Sequence, residues 1–146
     1  MLYTILWMHF TKQMLFYILY FSINVVYCIY SIMNKGVDPE SCIDFSITNS
    51  NIDVADDGVC PKASLQYGPL TNLYVHNVTI RSKSHAIKFG SNCDTEMSNI
   101  VFDNITIWDS NSGLTIQQRS QGDIHNVTFS NINIETRYQA PRWWGN

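Results

Sequence analysis

Apolar residues recur from Phe45 onward with a long, fixed period. Four segments carry the pattern: Phe45-Ser-Ile-Thr-Asn49-Ser-Asn-Ile52, Leu73-Tyr-Val-His-Asn77-Val-Thr-Ile80, Ile100-Val-Phe-Asp-Asn104-Ile-Thr-Ile107 and Val127-Thr-Phe-Ser-Asn131-Ile-Asn-Ile134. Each reads apolar, any, apolar, any, Asn, two variable positions and Ile. The asparagines lie 28, 27 and 27 positions apart. Alternation before the Asn predicts a strand with one face inward, and helical spacing of three and four is absent. A fixed period of this size marks a solenoid.

The Asn falls where each strand must turn, a place that tolerates left-handed backbone. Stacked at one corner of successive coils, the four amides are expected to hydrogen-bond one above another and satisfy polar groups at the bend. If Asn77 and Asn104 are buried in that stack, their glycosylation triplets are poorly used and Asn126 becomes the better acceptor. The register continues past the corner. Nine positions on come Gly58, Ala86, Gly113 and Ala140; ten positions on come Val59, Ile87, Leu114 and Pro141. Phe89 and Ile116 repeat the apolar choice two positions later, where Pro61 breaks it. A second strand per coil follows, with positions ten and twelve inward. The expected fold is all-β, a parallel β-helix of about four coils stacked roughly 4.8 Å apart, with no helix beyond a turn or two in residues 40–140. The last repeat runs into Ala140-Pro-Arg-Trp-Trp-Gly-Asn146, so an incomplete β-helix is expected, a slice of a longer molecule.

Residues 1–33 break the pattern and form a separate apolar segment before a β-helix domain at 34–146. They hold nine aromatics and no Ala, Gly, Pro, Asp, Glu or Arg, and no charged residue occurs from Gln13 to Asn34. That run is long enough to cross a bilayer as a helix, with Lys12 just before it as in a signal peptide or anchor. Membrane contact through residues 14–33 is one expectation. A wrongly assigned start and buried first-coil strands are the others. Such a segment would cap the solenoid only by folding back as a helix.

At 146 residues the chain is long enough for one domain with a core, and 45% hydrophobic with 14% charged residues is a folded composition. A net charge of −3 with no basic cluster argues against a nucleic-acid partner. Cys28, Cys42, Cys60 and Cys93 form no CxxC pair, so neither a zinc site nor any other metal or cofactor is expected. Three triplets, at Asn77, Asn104 and Asn126, fit a secreted protein. A monomer is expected.

Candidate chemistry sits eight positions after the ladder Asn, where successive coils present Asp57, His85 and Ser112. One position earlier stand Asp56, Ser84 and Asn111. Two adjacent carboxylates repel, which raises one pKa and lets that group serve as an acid. Glycoside hydrolysis asks two carboxyl groups to divide such roles. Gly58, Ala86 and Gly113 beside them would let a polymer lie close to the backbone. The bland reading is that Asp56-Asp57-Gly58 is a turn and His85 a solvated surface residue.

These residues resemble glycoside hydrolase family 28, the polygalacturonase type of right-handed parallel β-helix, which carries four short signatures. Val54-Ala-Asp56-Asp57-Gly58 matches its paired Asp. Ser84-His85-Ala-Ile-Lys-Phe-Gly90-Ser91 is similar to its Gly-His-Gly and Gly-Ser signature, with Ser and Ala for the flanking glycines. Lys35-Gly36-Val37-Asp38-Pro39 is similar to Asn-Thr-Asp-Gly, with Lys35 where the family has its first Asp. Ser112-Gly113-Leu114-Thr115-Ile116-Gln117 falls where Arg-Ile-Lys belongs, Thr115 and Gln117 standing for the cations.

The resemblance implies inverting hydrolysis of pectic or related cell-wall polysaccharide by a secreted or membrane-anchored protein without a cofactor. Asp56 is then the general acid, Asp57 helps activate water, and His85 tunes or orients the acid. Lys35 cannot serve as the second base and would lower the pKa of Asp56 or Asp57 by pairing with it. Thr115 and Gln117 bond sugar hydroxyls but neutralise no carboxylate. Gln117 and Arg119 are the expected substrate-binding residues, with Gln118, Trp143 and Trp144 as further sugar contacts. The same residues also read as surface polar groups and an aromatic packing pair. The family often bridges a Cys beside the paired Asp to one near the histidine signature. Here Cys60 lies three residues after Asp57 instead of one, and any disulfide is expected to involve Cys42, Cys60 or Cys93. Two other functions compete: a non-catalytic, glycan-binding remnant, favoured by Lys35, and a pectate lyase, disfavoured because no acidic calcium cluster is visible.

Overall fold

The structure, a computed structural model, describes residues 27–31, of which the backbone alone is described, and residues 36–138. In chain order the described strands are β1 Tyr27–Ser31, β2 Asp38–Val54, β3 Leu70–Ser82, β4 His85–Ser91, β5 Met97–Ser110, β6 Ser112–Gln118 and β7 Ile124–Thr136. The long strands β2, β3, β5 and β7 pair in parallel as one sheet, and β4 pairs in parallel with β6 as the other. Val37, Val59 and Ile87 bridge in sequence, extending the second sheet toward the first coil. The result is a parallel β-solenoid of about three turns, with no helix among the described residues.

That coil count corrects the expected four. Four repeated segments enclose three complete turns, and the fourth rung of the second sheet would need residues 140–142, which lie outside the described residues. The apolar columns form the core as the spacing predicts. Phe45, Ile47 and Ile52 stack under Leu73, Val75 and Ile80, then under Ile100, Phe102 and Ile107, all buried. Val59, Ile87 and Phe89 close the core from the other sheet. Phe89 meets Phe102 edge-on at 6.0 Å, and Phe102 stacks on Phe129 at 5.3 Å. Leu114 and Ile116, in the same columns, are 39% and 63% exposed because β6 is the outer strand of its sheet.

The corner asparagines explain how one strand lines two walls. Asn49, Asn77, Asn104 and Asn131 have φ of 51°, 53°, 54° and 52°. Strict alternation would turn each Asn inward, two positions after a core residue. The left-handed step instead puts the Asn outside and the next residue inside. Val78 and Ile105 are therefore buried, though that position looks variable in the sequence. Asn77 donates to Asn49 at 2.7 Å and Asn104 to Asn77 at 3.2 Å. Asn131 departs from the ladder and donates to the Asp103 carboxylate at 2.8 Å. A charged acceptor is stronger than an amide oxygen, so Asp103 wins the bond.

A second ladder stands five positions upstream. Asp44, Asn72, Asn99 and Asn126 have φ of 55°, 58°, 55° and 52°, and each Asn donates to the residue one coil below. Both ladders are exposed. This corrects the expectation about glycosylation: Asn77 and Asn104 are not buried, and Asn126 belongs to a ladder like the other two.

The amino-terminal expectations are partly replaced. Tyr27–Ser31 is a strand, not a folded-back helix, and it pairs antiparallel with β2 through Ile29–Glu40, Tyr30–Pro39 and Ser31–Asp38. It covers one edge of the long sheet, which would otherwise offer unpaired backbone groups. No helix among the described residues is long and apolar enough to cross a membrane, and residues 14–26 lie outside them.

The ladder's two contributions can be separated by substitution at Asn77. Ala there loses the side-chain bonds and also disfavours the left-handed backbone, so Asn77→Ala should cost about 2–3 kcal/mol. Asn77→Gly keeps the conformation accessible and should cost about 1 kcal/mol. Urea unfolding midpoints will rank them, and equal losses would show that the corner does not depend on positive φ.

Candidate active site

The coil register brings Asp57 and His85 together, 28 residues apart in sequence. Gly58 N–H donates to the His85 carbonyl and Val59 N–H to the Ala86 carbonyl, fixing the two segments side by side. His85 pairs in turn with Ser112 of β6. Asp57 is nearly buried. Its Oδ1 accepts from Ser84 Oγ at 2.7 Å, lies 2.8 Å from His85 Nδ1 and 3.3 Å from the His85 backbone N. Its Oδ2 lies 2.8 Å from Lys88 Nζ. Lys88 is itself well covered, its side chain 12% exposed. Ser84 Oγ also lies 2.9 Å from His85 Nδ1, so Ser84, His85 and Asp57 form one closed cluster.

Asp56 sits at the bend that follows β2 and is half-buried. Its Oδ1 accepts the Asp57 backbone N–H at 2.8 Å, and its carbonyl accepts Ser82 Oγ at 2.6 Å. The turn reading of Asp-Asp-Gly is thus correct locally: the Asp56 side chain braces the bend. It does not displace the functional reading, because the same bend carries Asp57 to His85.

Asp57 does not behave as like-charge repulsion suggests. Burial works against its charge, yet hydrogen bonds from Lys88, Ser84 and His85 outweigh burial and hold its carboxyl below the usual carboxylate range. Lys88 is the cation that does this. Lys35, expected to act in that way, lies outside the described residues. Lys88 and Ser84 are the site residues to which sequence reasoning assigned no role. The signal was present: Lys88 sits between buried Ile87 and Phe89, so it must face outward, three positions past His85 in the coil above Asp57.

The small-residue column serves packing, not close approach of a polymer. Gly58, Ala86 and Gly113 are buried. A Cβ on Gly58 would lie 2.5 Å from the Ala86 carbonyl oxygen and 2.6 Å from Ile80, and one on Gly113 would lie 2.8 Å from Ile134. Neither glycine leaves room for a side chain.

The expected substrate-binding residues stand apart from this cluster. Thr115 pairs with Lys88, which places it beside the site, and its hydroxyl meets Ser112 at 3.1 Å. Gln117 pairs with Gly90, five strand positions from the His85–Ser112 pair and so about 16 Å along the sheet. Arg119 is exposed and lines a shallow pocket of about 510 Å³ with Leu65, Asp94, Ser120 and Gln121. Trp143 and Trp144 lie outside the described residues. Cys42 is disulfide-bonded, while Cys60 and Cys93 are buried free thiols, so the bridge implied between those two is not formed. Cys60 donates instead to the Gly90 carbonyl at 2.9 Å, and burial pushes its pKa up to about 12. Among the described residues no group of three or more His, Cys, Asp or Glu is placed to hold a metal ion.

The Asp57 cluster sets an acid limit on stability. Its carboxyl titrates below the ordinary 3.8 when folded. Its stabilising contribution is therefore complete above that value and is lost as pH falls through the lower folded value. Asp57→Asn should flatten the fall in stability between about pH 4 and pH 2, and at pH 7 should cost about 1–3 kcal/mol by leaving Lys88 without its partner. Urea unfolding across that range is the measurement. A residual slope will remain from Asp103, also lowered by bonds from Ser130 and Asn131. Unchanged acid dependence in Asp57→Asn would contradict the ion pair.

Comparison with known proteins agrees with this geometry. No curated protein and no solved structure matches the chain. The family model described as Glycosyl hydrolases family 28 matches residues 31–140, the stretch that holds the strand corners, Asp56, Asp57, His85 and Lys88. The chain belongs to glycosyl hydrolases family 28.

Proposed function

We propose that this site hydrolyses pectic or related cell-wall polysaccharide with inversion at the sugar carbon, and that it does so slowly. The family makes the protein a glycoside hydrolase of the polygalacturonase family in general, with a polysaccharide substrate. The observation that supports the finer reading is the division between the paired aspartates. Asp57 is held ionised by Lys88, Ser84 and His85, while the Asp56 carboxyl, half-buried beside it, accepts the Asp57 backbone N–H. Inverting hydrolysis needs one carboxyl group to protonate the leaving oxygen and one carboxylate to draw a proton from water. Asp56 takes the first role and Asp57 the second, with His85 orienting the pair through Asp57. Secretion into an oxidising compartment is part of the proposal, and the bonded Cys42 fits it.

Slow turnover follows from the same contacts. A carboxylate whose proton affinity is lowered by Lys88 is a weak base. Thr115, beside the site, offers a hydroxyl where a cation would neutralise a uronate. A second reading, a glycan-binding remnant without hydrolysis, is favoured by how fully Asp57 Oδ1 is engaged: three donors point at one oxygen.

A reducing-sugar assay on polygalacturonate and on neutral pectic polymers tests the reading. Slow release is expected, faster from a neutral polymer, undiminished by a chelator, and reduced about 10²–10⁴-fold in Asp56→Asn or Asp57→Asn. Turnover indifferent to both substitutions would place the chemistry elsewhere. Binding without release by the folded protein would favour the remnant.

A further inference from the structure

Lys88 has the geometry of a working part of the site. It is the charged residue of β4 that faces the paired-aspartate coil, and its backbone N–H is committed to the Val59 carbonyl. Its ammonium reaches back across one coil step to Asp57 Oδ2 at 2.8 Å, with both side chains about nine-tenths covered. Burying a lysine stem and head here costs desolvation unless the charge is met. Asp57 meets it.

The other oxygen of Asp57 then decides the state of His85. A carboxylate only accepts hydrogen bonds. Ser84 Oγ at 2.7 Å and His85 Nδ1 at 2.8 Å from Oδ1 must both donate to it. Nδ1 therefore carries the proton, and in the neutral ring Nε2 is left as an acceptor. Were Asp57 protonated, it could donate to Nδ1 instead, and the ring would carry its proton on Nε2.

We propose that Lys88 is a positioning residue: its ion pair keeps Asp57 a carboxylate and, through Asp57, fixes His85 with the proton on Nδ1 and the lone pair on Nε2. The charged and titratable groups around Asp57 are few. Lys88 and His85 approach from β4, Asp56 adjoins it on its own segment, and Cys60 lies three residues on as a neutral thiol. Asp38 and Lys62, near Cys60, are paired with each other at 2.6 Å. Lys88 is thus the one cation bonded to Asp57 among the described residues. The consequence for catalysis rests on the hydrolase reading; the state of the two side chains does not.

The test is nuclear magnetic resonance on the full chain without substrate. Long-range nitrogen–proton correlations report the His85 tautomer, and the Asp57 carboxyl carbon, assigned by its loss in Asp57→Asn, reports titration. Wild type should show the Nδ1–H tautomer and an Asp57 midpoint below 3.8. Lys88→Met should raise that midpoint by about one unit or more and weaken the Nδ1–H preference of the ring at neutral pH. Lys88→Arg, which keeps the charge, should stay close to wild type. A folded Lys88→Met protein with unchanged midpoint and tautomer would overturn the proposal. If Lys88→Met does not fold, wild type and Lys88→Arg decide: an ordinary Asp57 midpoint or an Nε2–H ring in wild type would equally overturn it. Absence of hydrolysis would leave these resonances as they are and would bear only on the function proposed above.

Discussion

The left-handed step at one asparagine per corner is the constraint on which the rest of this solenoid depends. It lets a continuous strand keep its parallel partners while its inward parity changes, so Ile47 and Val75 face the same core as Ile52 and Ile80. Repeated every 27 or 28 residues, it holds the coil length constant. Constant coil length is what puts residues of like position above one another, and the site exists because of it. One residue more or less between Asn49 and Asp57 would move that carboxylate off His85 and Lys88. The second ladder, from Asp44 to Asn126, repeats the device at the next corner and makes the long sheet a three-walled surface.

Much of this was legible because a solenoid writes its packing into a linear period. The Asn column and the columns through Val59, Ile87, Phe89 and Gly58 follow from counting, and the structure places each where counting puts it. The ladder at Asp44, Asn72, Asn99 and Asn126 was equally countable, but it stands one position before the first apolar residue of each repeat and so just outside the segments that the alternation marks. What periodicity does not carry is direction. It makes Gly58 and Gly113 small without telling that Ala86, Ile80 and Ile134 are the reason. It aligns Gln117 with the other strands without revealing that about 16 Å of strand separates it from His85. Nor does it reveal that Asn131 prefers Asp103 to the ladder, because that choice depends on acceptor strength at a single point.

The site illustrates how a neighbouring coil resets the chemistry of a motif. Two adjacent aspartates alone suggest a raised pKa. Lys88, 31 residues away in sequence and one coil step away in space, reverses the direction for Asp57. The cation expected one coil higher, at Thr115, has a counterpart in Lys88, its partner across the strand pair. That charge is spent on the carboxylate within the protein and not on a sugar. A hydrolase scaffold whose cation is paired with its own carboxylate is the physical basis for expecting slow turnover and tolerance of neutral polymers.

The central claim is coil register, and a cross-link reads it most directly. Asn51 and Thr79 are in-register neighbours on the outer face of β2 and β3, whereas Asn51 and Arg81 are two positions apart. In-register parallel neighbours lie about 4.8 Å apart, within the span a disulfide bridges, and a two-residue offset lies beyond it. Replacing Asn51 and Thr79 by Cys should give a bond between those two positions on mild oxidation, identified by non-reducing peptide mapping. The Asn51 and Arg81 pair should give none. A bond in the offset pair, with none in the other, would contradict the register that brings Asp57 to His85 and Lys88.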